Sequence, residues 1–232
     1  MSKLIFGAAG NKTYELGVKN GVLYPSANGA YPTGVVWDGL TAVNESPSGA
    51  ETTKLYADDT VYGTVTSAEE YGGTIEAYQS PEEFDACDGT AEIIPGATIG
   101  QQGRKPFGLS FVTTIGNDTD GMEHGYKIHL IWGATASPSE KAHSSINESP
   151  EPEPLSWEFT TTPVNVGSGF KPSACMTLDS TTIDADKLAA IKDILYGTDP
   201  DTTVTPPTEG TAARLPLPSE IIAILRGQQA QG

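Results

Sequence analysis

Three histidines, His124, His129 and His143, are the residues most able to hold a metal ion, and their spacing argues against it. No His-Glu-x-x-His pair is present, and His124 and His129 stand five apart in a segment of strand character, which puts them on opposite faces. Asn117-Asp118-Thr119-Asp120-Gly121 resembles a calcium loop, but with Gly121 in the glycine position the first ligand is Gly116 and the bidentate glutamate is replaced by Lys127. An acidic turn is the expectation there. The pairs Glu69-Glu70 and Glu82-Glu83 supply carboxylates, yet neighbouring side chains on a strand diverge, and 30 acidic residues make such pairs commonplace. Gly-x-Ser-x-Gly and Walker sequences are missing, and Gly167-Ser168-Gly169 lacks the third glycine and following helix of a dinucleotide site. No catalytic residue, cofactor site or metal site is assigned, and the chain reads as a non-enzyme.

Composition narrows the partners. With 13 basic against 30 acidic residues the 232-residue chain carries a formal charge of −17, the wrong sign for gripping a phosphate backbone or an anionic membrane. No apolar run approaches the roughly 18 residues of a spanning helix, and the opening Met1-Ser2-Lys3-Leu4-Ile5-Phe6 is too short for a secretory signal. Use without export is therefore expected, and the Asn-x-Ser/Thr triplets at Asn11, Asn44, Asn117 and Asn147 read as chance matches. Cys87 and Cys175 are distant in sequence and are read as reduced and buried. Gly103-Arg104-Lys105-Pro106 holds the one adjacent basic pair, read as a loop contact to an acidic neighbouring subunit.

The elements that must carry these residues are short strands. Tyr126, Ile128, Leu130 and Trp132 alternate with Lys127 and His129, Phe107, Leu109 and Phe111 with Gly108 and Ser110, and Leu155, Trp157 and Phe159 with Ser156 and Glu158. Each should turn one face to a core and the other to a polar environment. Earlier strands are expected around 34–44, 53–56, 60–67 and 71–78. Asp58-Asp59 between Leu55-Tyr56 and Val61-Tyr62 suits a hairpin tip, because Asp tolerates left-handed backbone. Residues 137–154, with Pro150, Pro152 and Pro154, read as an exposed loop. One helix is expected from about Asp184 to Tyr196, with Thr182 or Asp184 as N-cap and Leu188, Ile191, Ile194 and Leu195 on its stripe. Beyond it, a Pro/Thr-rich linker over 199–218 leads to an apolar plug, Ile221-Ile222-Ala223-Ile224-Leu225. About 20 linker residues reach on the order of 25 Å as random coil, so the plug can dock at home or on a neighbour. The expected organisation is a β domain over 1–180 and a C-terminal helix, linker and plug over 181–232.

Ordered short motifs then resemble a known family. Trp37-Asp38-Gly39-Leu40, Leu55-Tyr56-Ala57-Asp58-Asp59 and Tyr71 with Gly73-Thr74-Ile75-Glu76 resemble the N-terminal half of siphophage major tail proteins, in which such a hairpin recurs between strands. Residues 116–132 resemble the family's glycine-rich turn and long aromatic strand, and 155–163 its returning strand. Ile194-Leu195-Tyr196-Gly197-Thr198-Asp199, with Leu215-Pro216-Leu217-Pro218, is similar to the C-terminal region of a subset of members. The resemblance implies a mainly β fold: a β-sandwich or barrel of tail-tube type that assembles into hexameric rings with a continuous inner β-barrel. The stacked rings would form a tube that conducts DNA without binding it specifically.

By position, residues 45–67 would bridge adjacent rings. Contact candidates are Leu55, Tyr56, Asp58, Asp59, Ile221, Ile222 and Leu225, and channel-lining candidates are Glu76 and Glu158. Six copies of −17 give a formal −102 per ring, in keeping with a channel that repels phosphate. The implied partners are further copies of the chain, a tape measure protein, a tail terminator and the distal tail or baseplate proteins. The implied location is the virion, after assembly in the host cytoplasm. Two other readings remain open, a monomeric β-sandwich decoration or adhesion module and another ring-forming tail component such as a terminator or distal ring.

Overall fold

The computed structural model describes residues 4, 6–141, 143, 145, 152–167, 169–200, 203 and 209–227. Its framework is one antiparallel sheet of eight strands. The strand β1 (Thr13–Pro25) pairs with β2 (Val35–Trp37) on one side and with β11 (Phe107–Asn117) on the other. The same sheet continues from β11 to β12 (Gly121–Ala136), β13 (Leu155–Thr161), β8 (Gly72–Ala77) and β3 (Leu40–Glu45), and β14 (Cys175–Asp179) adds a branch on β12.

The branch exists because β12 changes partner along its length. Its residues Lys127–Ile131 pair with β14 and its residues Ala134–Ala136 with β13. Between these stretches lies Gly133 at φ 62°, where an added Cβ would sit 2.2 Å from the Thr162 carbonyl oxygen. A glycine at this point lets the strand turn a corner that a side chain would block.

Past the corner the sheet folds back over itself. Leu23, Leu109, Phe111 and Ile131 from β1, β11 and β12 pack against Ile75, Ala77, Trp157 and Phe159 from β8 and β13. Trp37 and Phe84 fill the centre, Phe84 lying edge-on to Trp157 with ring centroids 5.4 Å apart. Phe84 comes from a 3-10 turn (Glu82–Phe84) that runs into the one-turn helix α1 (Asp85–Asp88). The sheet ends at β2 and β3, and β3 approaches β1 without sharing a ladder with it among the described residues, so no closed barrel forms.

A second core lies on the opposite face of β11 and β12. There Val112, Ile128, Leu130, Trp132 and Leu178 meet Leu188, Ile191 and Leu195 of α2 (Ala185–Tyr196) and Ile221 of α3 (Pro218–Leu225). The expected N-cap Asp184 accepts hydrogen bonds from the N–H groups of Asp186 and Lys187. The Tyr24 hydroxyl donates to the Leu195 carbonyl at 2.9 Å and the Trp132 indole to the Pro216 carbonyl at 3.0 Å, which fixes both helical segments to the strands.

Several expectations change here. β11 is not half-buried: nearly all of Phe107–Asn117 is buried, because layers cover it on both sides. The alternation of His129 and Lys127 with Ile128 and Leu130 holds locally, but β12 too is packed on two faces at its centre. The single C-terminal helix becomes two, since the apolar plug is itself helical. β1, β14 and α1 carried no sequence expectation. Cys87 is buried and free, its thiol pushed up to about 11 by burial, whereas Cys175 is free and half-buried. The middle of the 137–154 loop, residues 201, 202 and 204–208 of the 199–218 linker, and residues 228–232 lie outside the described residues.

Candidate assembly surfaces

The polar chemistry resolves into structural roles. At the β11–β12 turn the Asn117 side-chain oxygen accepts from the N–H groups of Thr119 and Asp120, and its amide donates to Asp120 at 3.1 Å. The calcium-like sequence is thus a self-bonded acidic turn. Among the described residues no three His, Cys, Asp or Glu side chains are placed to hold a metal ion. Arg104 donates to the Ala136 carbonyl at 2.9 Å and lies 3.8 Å from Asp88, which also accepts from Lys141 at 2.6 Å. The basic pair expected to meet a neighbouring subunit therefore has its arginine engaged within the chain.

Two hairpins stand apart from these cores. The larger is an arm made of β5 (Thr52–Ala57) and β6 (Thr60–Thr66), rooted in the bridge between β4 (Ser48–Gly49) and β7 (Glu69–Glu70). Its two-residue tip is Asp58-Asp59, at φ 51° and 59°, so both residues take the left-handed conformation of a primed hairpin turn. Thr60 closes the turn by donating its hydroxyl to the Ala57 carbonyl at 3.1 Å. Along the arm Tyr56 faces Val61 and Thr53 faces Val65 across the ladder.

Every residue from 51 to 70 is exposed except Ala57 and Gly63, which are half-buried. Leu55 is 46% exposed, Tyr56 68% and Tyr62 79%, with Val61 and Val65 also in the open. An isolated two-stranded hairpin is at best marginally stable in water, so an arm with this much apolar surface calls for a partner. The smaller hairpin, β9 (Ala91–Ile94) with β10 (Ala97–Ile99), exposes Ile93, Ile94 and Ile99. The Pro95-Gly96 turn between Ile93-Ile94 and Thr98-Ile99 was the signal that could have located it.

The C-terminal candidates behave differently. Ile221 is 0% exposed within the chain's own second core, and Ile222 and Leu225 are half-buried. Lys187 donates to the Leu225 carbonyl at 2.6 Å, and Arg214 pairs with Glu220 through both terminal guanidinium nitrogens. The plug docks at home, which removes Ile221 as a contact residue and leaves only the outer side of α3 available.

Glu76 and Glu158 come together on one face. β8 and β13 pair with Glu76 opposite Ser156 and Glu158 opposite Thr74, while Ile75 and Trp157 between them point into the core. Asn44 of β3 donates to Glu76 at 3.3 Å. The outward face of β3, β8 and β13 thus carries Ala42, Asn44, Thr74, Glu76, Ser156, Glu158 and Thr160, polar and acidic with no basic residue. No protein-family model matches the chain, and no curated protein matches it at a significant level.

Proposed function

We propose that this chain is the major tail tube subunit of a long-tailed bacteriophage, a structural protein of the virion that stacks as hexameric rings into a hollow DNA-conducting tube. The observation that carries the reading is the exposed arm. Leu55, Tyr56, Val61, Tyr62 and Val65 stand largely open on the subunit, and a subunit that stacks on copies of itself gives each arm a defined neighbour. The resemblance to siphophage major tail proteins implies a ring-bridging element over residues 45–67, which include this arm.

The acidic face supports the second half of the reading. Glu76 and Glu158 stand on a polar strand surface whose outermost strand, β3, has no ladder partner on its far side among the described residues. Strand pairing between neighbouring subunits at such edges would both close a ring and remove the aggregation hazard of a bare edge. Carboxylates on the resulting inner wall repel phosphate, so DNA slides through without specific binding. In this reading the chain catalyses nothing, needs no cofactor, and meets the tape measure protein, the terminator and the distal tail or baseplate proteins in the assembled tail.

Negative-stain electron microscopy of the purified, concentrated chain, with light scattering in parallel, tests the proposal. Hollow tubes or six-fold rings are expected. Replacement of Tyr56 and Tyr62 together by Ser should leave subunits or single rings that do not stack. A wild-type chain that stays monomeric at high concentration, even when mixed with preformed tail tips, overturns it.

A further inference from the structure

His129 sits where three parts of the molecule meet. Its ring stacks on Phe111 with centroids 4.6 Å apart and planes 3° from parallel, and its side chain is largely buried. Nε2 lies 2.9 Å from the Thr113 hydroxyl and 3.2 Å from a Glu15 carboxylate oxygen. Nδ1 points the other way, 3.5 Å from a Glu45 carboxylate oxygen, and among the described residues it has no other partner. Glu15 belongs to β1, and Glu45 is the last residue of β3, where the chain leaves the sheet for the arm.

The surroundings are charged on every side. Lys127 of β12 donates to Glu15, and the Asp179 charge of β14 reaches both of them. Tyr71, next to β8 at the returning root of the arm, has its phenol pushed up by burial and by the Glu45 charge. Cys175 of β14 lies in the field of Glu45 and of Glu69 in β7, with burial holding its thiol up. Contact with His129 holds the Glu45 carboxyl below its ordinary range against the opposing effect of burial.

We propose that His129 is a proton-operated latch that ties the root of the arm to β1. A doubly protonated imidazole donates from both nitrogens, one toward Glu15 and one toward Glu45. A neutral ring has a single N–H and must present a lone pair to one of the two carboxylates, which turns an attraction into a repulsion at the point where the arm leaves the body. Thr113 gives its own hydroxyl proton to Glu15 at 2.6 Å, so Nε2 faces two acceptors, the Thr113 oxygen and Glu15, whereas Nδ1 has Glu45 alone; the last proton stays on Nε2 and the arm root is the side that lets go. The latch follows from the subunit's own packing and stands whether or not the chain builds tubes.

Amide hydrogen exchange read residue by residue on the subunit tests this, scanned over about pH 5 to 8 where imidazoles titrate, with the His129 ring followed by NMR in the same samples. β3 and β8 provide an internal control, since Glu45 pairs with Gly73 at the arm end and Leu40 with Ala77 at the far end. After correction for intrinsic exchange, protection at the arm end should fall about tenfold relative to the far end as the ring loses its proton, the size expected for a hydrogen bond to a charged group. In His129→Gln the ratio of the two ends should no longer depend on pH. A wild-type ratio that stays constant while the ring titrates overturns the latch, and that result does not require the variant to fold.

Discussion

The arm and helix α3 pose the same problem in sequence, an apolar segment set off by polar or proline-rich chain, and they meet opposite fates. In α3 the side of the helix that carries Ile221, Ile224 and Leu225 meets a single surface: Ile221 enters the core beside Leu188 and Ile191, and Ile224 and Leu225 pack against it. In the arm, a two-stranded ribbon distributes Leu55, Tyr56, Val61, Tyr62 and Val65 over both of its faces, and no single surface of the same chain can cover both. Apolar content alone does not distinguish a segment that docks at home from one that waits for a partner. The element into which the segment folds does, since one side of a helix can be covered by one surface and the two faces of a ribbon cannot.

The largest expected effect separates the two regions directly. Ile221→Ala should cost about 2–5 kcal/mol of subunit stability in urea or thermal unfolding, because it removes a fully buried side chain from a packed core. Leu55→Ala or Tyr56→Ala should stay within about 0.5 kcal/mol in the same assay, as befits exposed positions with nothing to lose in the isolated subunit. If the arm substitutions destabilise as much as the core one, the arm packs on its own chain and the contrast collapses. A smaller loss is expected one step back from the plug: Asp184→Ala removes the side chain that caps α2, the helix on which α3 rests, and should cost about 1 kcal/mol.

Acid provides a probe of the arm's root. Burial alone would raise the Glu15 carboxyl, but hydrogen bonds from Lys127 and Thr113 and the nearby positive charges outweigh it and hold it below the usual carboxylate range. Glu45 is likewise held down, chiefly by His129. Folding therefore favours the ionised forms, and their contribution is fully present above the unfolded-chain value of about 4.3 and disappears as pH falls through the lower folded values. Wild-type stability should drop on acidification below about pH 4.5, and a Glu15→Gln, Glu45→Gln double variant should drop less. Equal acid sensitivity in the two proteins would show that these carboxylates make no net contribution to the root.

Much of this was legible from residue types. Asp58-Asp59 flanked by β-branched and aromatic residues announced the arm's turn, and the Asp184 cap with Leu188, Ile191 and Leu195 announced α2. Glu76 and Glu158 could be assigned to the same kind of strand position, though not to one another, because the pairing of β8 with β13 joins segments about 80 residues apart in a 232-residue chain. The burial of β11 on both faces was hidden for a similar reason: nothing local in Phe107–Asn117 records that α2 and α3, contributed from the far end of the chain, will cover its second side. β1 escaped because its alternation is broken twice by register shifts, between Leu16 and Lys19 and between Lys19 and Val22. The His129 cluster was invisible because its four partners come from three separate strands.

The finest test of the contrast works on the arm's own stability. Asp58 and Asp59 both hold positive φ, a conformation that costs any residue with a Cβ something and costs glycine nothing. Asp59→Gly converts the tip to Asp-Gly, the pairing that two-residue primed turns favour most, and should stabilise the hairpin locally by a few tenths of a kcal/mol up to about 1 kcal/mol. Because residues 51–70 are exposed, that gain should appear as slower amide exchange within β5 and β6 while the global unfolding midpoint stays where it was. A shift of the global midpoint by the same amount would mean that the arm unfolds together with the two cores and is coupled to them. An unchanged midpoint with a quieter arm would confirm that the hairpin is an independent unit, ordered by its own turn and ladder and held in place only at its root.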